Sequence, residues 1–150
     1  MPKSVDQAKR IIALAEHEKD RKLALFGQAA TKRRSDEALA LRIEKFKIEY
    51  HALCTSPREE PIAASSAKDM FSFLAHLGKM VEQAHKDVAI SVHEEERLKE
   101  DFLLARKRHD ILENWKMRLM MAEAKKEAKA EAKAHDDLAG RMVLGQEPWL

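Results

Sequence analysis

Seven histidines, a single cysteine and 26 acidic residues are the groups in this 150-residue chain that could do chemistry. A helical zinc site needs two imidazoles four residues apart with a glutamate between them, so that all three reach one ion. No two histidines stand in that relation, and the string HEEER that begins at His93 brings only one imidazole. Phosphate cradles need clustered glycines, whereas Gly27, Gly78, Gly140 and Gly145 are scattered. Carboxylate pairs are numerous, but in long charged helices they stay solvated, with no enclosing pocket to shift their pKa values. Cys54 has no partner for an intrachain disulfide, which fits a reducing cytosol, and it reads as a small buried or half-buried helix residue. The expectation is a protein that is not an enzyme and has no metal and no cofactor.

The elements that carry these residues follow from composition. Charged residues make up 36% of the chain and aromatic residues 5%, with four glycines and four prolines. Few aromatics cannot fill a thick core, and few turn formers cannot serve many short strands. The Ala, Leu, Glu, Lys and Arg bias is that of long helices. Net charge is +2, from interleaved signs, which argues against a nucleic-acid binder. The longest apolar run, Ile11 to Ala15, is five residues against roughly 20 for a span, so no direct membrane insertion is expected. MPKSVDQAKR leads into no secretory h-region.

One interior break is visible. Thr55 to Ser66, TSPREEPIAASS, holds Pro57 and Pro61, each without an amide donor and each disfavouring helix before it. Ser4 with Gln7 forms a capping box upstream, and Ser65 or Ser66 before Asp69 sets a second cap. Gly140, with Pro148 beyond, is the last stop signal. The pattern predicts helix 1 over about 4–54, a turn over 55–66, helix 2 over about 67–139 and a flexible tail over 140–150, in one domain. Helices of roughly 75 and 110 Å call for an elongated molecule.

Apolar periodicity tells what the helices do. In helix 2 a three-four spacing runs Leu74, Leu77, Val81, Ala84, Val88, Ser91, Glu95, Leu98, Phe102, Ala105, His109, Leu112, Lys116, Leu119, with ten of the fourteen apolar. Helix 1 offers Val5, Ala8, Ile12 and Ala15, then Leu23 and Phe26, then Leu39, Ile43, Phe46, Tyr50 and Leu53. Its halves are out of phase by about one residue near Leu25, which reads as a local supercoil adjustment. The fold class predicted is all-α: an antiparallel coiled-coil hairpin with a C-terminal overhang of the second helix. A turn centred near Pro61 sets Tyr50 against Leu74 or Phe71, Phe46 against Leu77 and Leu39 against Ala84. It also brings the polar stretch Thr31 to Glu37 beside Ser91 and Glu95.

By the same register everything after about Arg118 has no intrachain partner. There Glu123, Glu127 and Glu131 stack at i+4, as do Lys125, Lys129 and Lys133, offset to the other side, with alanines between. Such a helix is held by propensity rather than burial. It reads either as a solvated spacer or as a slim rod end that docks in another protein.

FKIEY at Phe46 to Tyr50, FLAHL at Phe73 to Leu77 followed by VEQAH, and KAHDDLAGRM at Lys133 to Met142 give the chain a resemblance to the FliJ and YscO proteins of the flagellar and virulence type III export apparatus. That resemblance implies a central stalk similar to the γ subunit of rotary ATPases, cytoplasmic and peripheral at the inner-membrane export apparatus. It implies three partners: the hexameric export ATPase, the cytoplasmic domain of the export gate protein, and export chaperones. Gate-binding candidates carried over are Leu39, Ile43, Phe46, Tyr50, Phe73, Leu77 and Met80. ATPase-binding candidates are Lys125, Lys129, Lys133, Asp137 and Arg141. Several gate candidates are also seam residues. For Phe46 and Leu77 core packing is the preferred reading, while Phe73 and Met80 lie off the seam.

Two other classes stay open at this point. A generic coiled-coil scaffold or adaptor needs only the hairpin and no overhang. A holdase chaperone needs exposed apolar grooves, for which Met117, Met120 and Met121 beside Trp115 are the soft patch. Against that, Trp115 can close the coiled coil near Val5 and Ala8.

Overall fold

In the computed structural model, which describes residues 1–57 and 60–145, the chain is an all-α helical hairpin: α1 (Val5–Thr55, 51 residues) and α2 (Ala64–Gly145, 82 residues), with no strand among the described residues. The Ser4 hydroxyl accepts the Gln7 amide at 3.2 Å, and the Gln7 side chain reaches back to the Lys3 amide at 2.9 Å, so the predicted capping box forms one residue wider than its usual reach. At the far end the Thr55 hydroxyl donates to the carbonyl of His51 at 3.0 Å, and Pro57 follows. No described helix is long and apolar enough to cross a membrane.

Two predicted boundaries are corrected. α2 begins at Ala64, so Ser65 and Ser66 lie inside its first turn and do not cap it. The Ala63 carbonyl accepts the Ala67 amide at 3.0 Å, and the exposed first-turn amides can be met by water. α2 also runs through Gly140 to Gly145, which overturns the stop at Gly140 and the flexible tail over 140–145; the rest of that tail, 146–150, lies outside the described residues. A glycine ends a helix by taking a left-handed conformation, and no described residue has positive φ. Without that geometry Gly140 costs its helix about 1 kcal/mol relative to alanine, and Leu138, Ala139, Arg141 and Met142 carry the helix across it. Pro148 lies outside the described residues.

The hairpin divides into two compact units, one of Asp20–Leu104 and one of Met1–Lys19 with the α2 residues from Ala105 on. In the first, α1 and α2 pack antiparallel, as Phe26 with Phe102, Arg33 with Glu95, Asp36 with Ser91, Glu44 with His85 and Tyr50 with Phe73 show. The register is displaced from the expectation. A turn centred at Pro61 would set Asp36 against Lys86, yet Asp36 accepts the Ser91 hydroxyl. Residues 64–66 are helical and rise roughly 1.5 Å each rather than the roughly 3.3 Å of extended chain, so a later residue of α2 reaches a given height.

The α1 side of this unit differs most from the expectation. Lys22, Phe26, Ala29, Arg33, Asp36, Ala40, Ile43, Lys47, Tyr50 and Cys54 alternate spacings of four and three, and all are buried or half-buried. Leu23, Leu39, Phe46 and Leu53, predicted in the seam, are 47%, 46%, 50% and 65% exposed. There is thus no phase shift near Leu25. A one-residue shift turns a helix by about 100° and would carry the stripe off its partner, so the frame stays fixed and polar residues occupy it. Lys22 and Lys47 can lay their methylenes along the seam with the ammonium outward. Arg33 bonds Glu95 and, at 3.0 Å, Glu37. Ser91 is 3% exposed and satisfied by Asp36. All nine α2 positions predicted from Leu74 to Phe102 are buried or half-buried.

In the other unit Val5, Ala8, Ile12 and Ala15 form the α1 side, and Ala105, His109, Leu112, Lys116 and Leu119 the α2 side, as predicted. Trp115 donates its indole N–H to the Pro2 carbonyl at 2.7 Å, closing this end as the packing reading expected. His109 lies in the seam with Glu16 at 3.9 Å, Glu113 at 3.7 Å and Asp110 at 3.4 Å. From Met120 to Leu144 every residue is exposed.

Candidate functional site: an apolar groove near the bend and an exposed helical extension

Within Asp20–Leu104, the flank of the seam near the bend carries a groove of about 390 Å³. Ile43 and Leu77 form its floor, Leu39 and Phe46 one wall, Phe73 and Met80 the other. The walls exist because each helix repeats an apolar residue seven positions apart, just outside the buried stripe, so the two stand on the same flank of the hairpin. Phe73 sits edge-on to Tyr50 (centroids 4.8 Å apart, 75°) and to Phe46 (6.4 Å, 85°), while Phe46 and Tyr50 stack at 6.4 Å. Such contacts fix ring orientation and contribute about 0.5–1.5 kcal/mol each.

All seven residues proposed to face the gate are therefore brought together. They differ in burial, which divides core from surface. Leu77 is 2% exposed and belongs to the core. Ile43 and Tyr50 are half-buried. Leu39, Phe46, Phe73 and Met80 remain 46%, 50%, 38% and 39% exposed. For Phe46 this corrects the preference for core packing: its ring lies on the flank, because Ala40, Ile43, Lys47 and Tyr50 hold the seam. Two further lining residues, Arg42 and His76, escaped the sequence reading. Their signal is positional, since each stands three residues after one wall residue and four before the next on the same helix.

The other flank is of mixed character, with Glu44, Lys47, Ile48, His51 and Val81 around a groove of about 470 Å³ and Glu44 hydrogen-bonded to His85. Farther from the bend, the hydrogen bonds that Arg33 donates to Glu95 and then to Glu37 hold its guanidinium still more firmly in its charged form. The hydrogen bond from Arg97 holds the Glu94 carboxyl below the usual carboxylate range, and Glu94 in turn raises Arg97. Among the described residues no group of histidine, cysteine and carboxylate side chains could hold a metal.

The ATPase candidates lie elsewhere. Lys125, Lys129, Lys133, Asp137 and Arg141 follow one another at intervals of four on the exposed part of α2, and none joins an ion pair among the described residues. At that interval the row turns by about 40° per step, so it is a gently winding stripe. Met117, Met120 and Met121 are 53%, 45% and 68% exposed. What these surfaces offer is non-covalent docking, apolar near the bend and ionic along the extension.

Comparison with known proteins bears on which family this arrangement belongs to. Neither the curated proteins nor the solved structures give a match. The family model described as flagellar FliJ protein matches residues 7–147, a stretch that takes in α1 from its first turn, the bend, the groove and the exposed extension. By that match over nearly its whole length, the chain belongs to the FliJ family.

Proposed function

We propose that the chain is the non-enzymatic central stalk of the flagellar export ATPase complex, cytoplasmic and peripheral at the inner-membrane export apparatus. Family membership supports a stalk-type role in flagellar export. In this reading the exposed extension docks in the ATPase hexamer, the groove near the bend receives the cytoplasmic domain of the export gate, and export chaperones are engaged by the same molecule. The observation that carries it is the extension: α2 continues as helix to Gly145 although every residue from Met120 to Leu144 is exposed. A lone helix of that kind is marginal in water, and each i,i+4 ion pair contributes only a few tenths of a kcal/mol. A ring lumen would supply the missing burial, and alanines keep the rod slim enough to enter.

Truncation after Met121 tests this. The shortened chain should keep the melting transition of the hairpin and lose both association with, and stimulation of, the export ATPase. A truncated chain that still binds and stimulates as well as the full chain refutes the stalk mechanism and favours the scaffold reading.

A further inference from the structure

The groove near the bend has an apolar floor and walls, yet each helix adds one basic side chain to its rim: Arg42 from α1 and His76 from α2. Among the described residues no carboxylate lines it. Arg42 and His76 are exposed, and neither side chain makes an ion pair or hydrogen bond with any described residue. Arg33 and Lys22, by contrast, are already committed to acids, Arg33 to Glu95 and Glu37 and Lys22 to Asp101 at 3.9 Å. The two rim residues also hold equivalent places, each between the two wall residues of its own helix. A ligand that fills the groove passes beside both.

We infer that the groove selects a segment of the gate protein in which apolar side chains stand next to a carboxylate, with Arg42 as the specificity-determining residue and His76 as a second donor. This rests on the reading of the groove as the gate-binding surface and names the chemistry of its occupant. Leu39, Phe46, Phe73 and Met80 bury the apolar side chains. The guanidinium then donates to the carboxylate, where its planar fork can engage both oxygens. Burial of the apolar part excludes water from that pair and strengthens it beyond what an exposed ion pair contributes. An apolar segment lacking the acid leaves Arg42 desolvated without a partner, and a basic one is repelled, so the rim discriminates among sequences that the apolar walls alone accept.

The test uses the full chain and the purified cytoplasmic domain of the gate protein, with affinity measured by titration calorimetry across a salt series. Arg42→Gln should weaken binding at least fivefold, Arg42→Glu more than Arg42→Gln, and Arg42→Lys less than either. His76→Gln should have a smaller effect in the same direction. Loss of affinity with rising salt should be shallower for Arg42→Gln than for the parent. Arg42 is exposed, so circular dichroism should be unchanged throughout. Phe73→Ala is the companion that separates the two claims. If it abolishes binding while Arg42→Gln and Arg42→Glu bind as the parent does, the gate reading stands and the acidic-segment inference is wrong. If Phe73→Ala also binds as the parent does, the groove is not the gate surface and the inference falls with it.

Discussion

Truncating Leu77, Phe73 and Met80 to alanine, one at a time, should separate the residues that hold the hairpin together from those that meet a partner. Leu77 is 2% exposed on the groove floor. Its replacement removes buried methyl groups and leaves a cavity between two helices, a change of about 3 kcal/mol. At about 4 °C per kcal/mol for a chain of this size, Leu77→Ala should lower the melting temperature by roughly 12 °C. Phe73 is 38% exposed and rests edge-on against Tyr50 and Phe46. It loses two ring contacts and part of its burial, about 1.5 kcal/mol in all, or roughly 6 °C. Met80 is 39% exposed on the opposite end of the same wall. A flexible thioether there costs about 1 kcal/mol or less. Binding should rank in the reverse order. With every variant held well below its melting temperature, Phe73→Ala and Met80→Ala should each weaken the gate domain at least tenfold, about 1.4 kcal/mol, and Leu77→Ala less than threefold. Thermal melts followed at 222 nm and calorimetric titration give the two rankings. If Phe73→Ala and Met80→Ala destabilise as much as Leu77→Ala and leave affinity unchanged, they are core residues and the assignment of this groove to the gate is wrong.

The remaining predictions are briefer. Reversing Lys125, Lys129 and Lys133 to glutamate should abolish ATPase stimulation as truncation does, leave the melting transition in place, and be foreshadowed by weaker parental binding at higher salt. Arg33→Ala should lower the melting temperature more than the double replacement of Arg33 and Glu95 by leucine, because the single change strands a part-buried carboxylate whereas the double one leaves an apolar seam; equal losses in the two would show that the pair does not matter to stability. Gly140→Ala should raise the helical ellipticity of the full chain, in line with about 1 kcal/mol of local helix propensity and open space around its Cα; unchanged or lower ellipticity would contradict a continuous helix at that position.

The sequence alone settled the elements, the side of α2 that is buried, and the stretch that lies bare. Helix propensity, two closely spaced prolines and a three-four repeat are local properties, so they can be read without knowing the neighbour. All fourteen seam positions of α2 are buried or half-buried because ten are apolar and outvote the four that are not. On α1 the apolar pattern misleads: Leu23, Leu39, Phe46 and Leu53 are apolar and sit one position off the buried frame, whereas Lys22, Arg33, Asp36 and Lys47 are polar and sit within it. A hydrophobicity pattern cannot reveal that an arginine will meet a glutamate across the interface, since that match depends on a residue more than sixty positions away. The same holds for the groove. Which residues would gather near the bend was legible from the family resemblance, but only the packed helices divided Leu77 from Phe73 and set Arg42 and His76 on one rim. Burial is a property of pairs of helices in a particular register, and the register was fixed by where α2 begins.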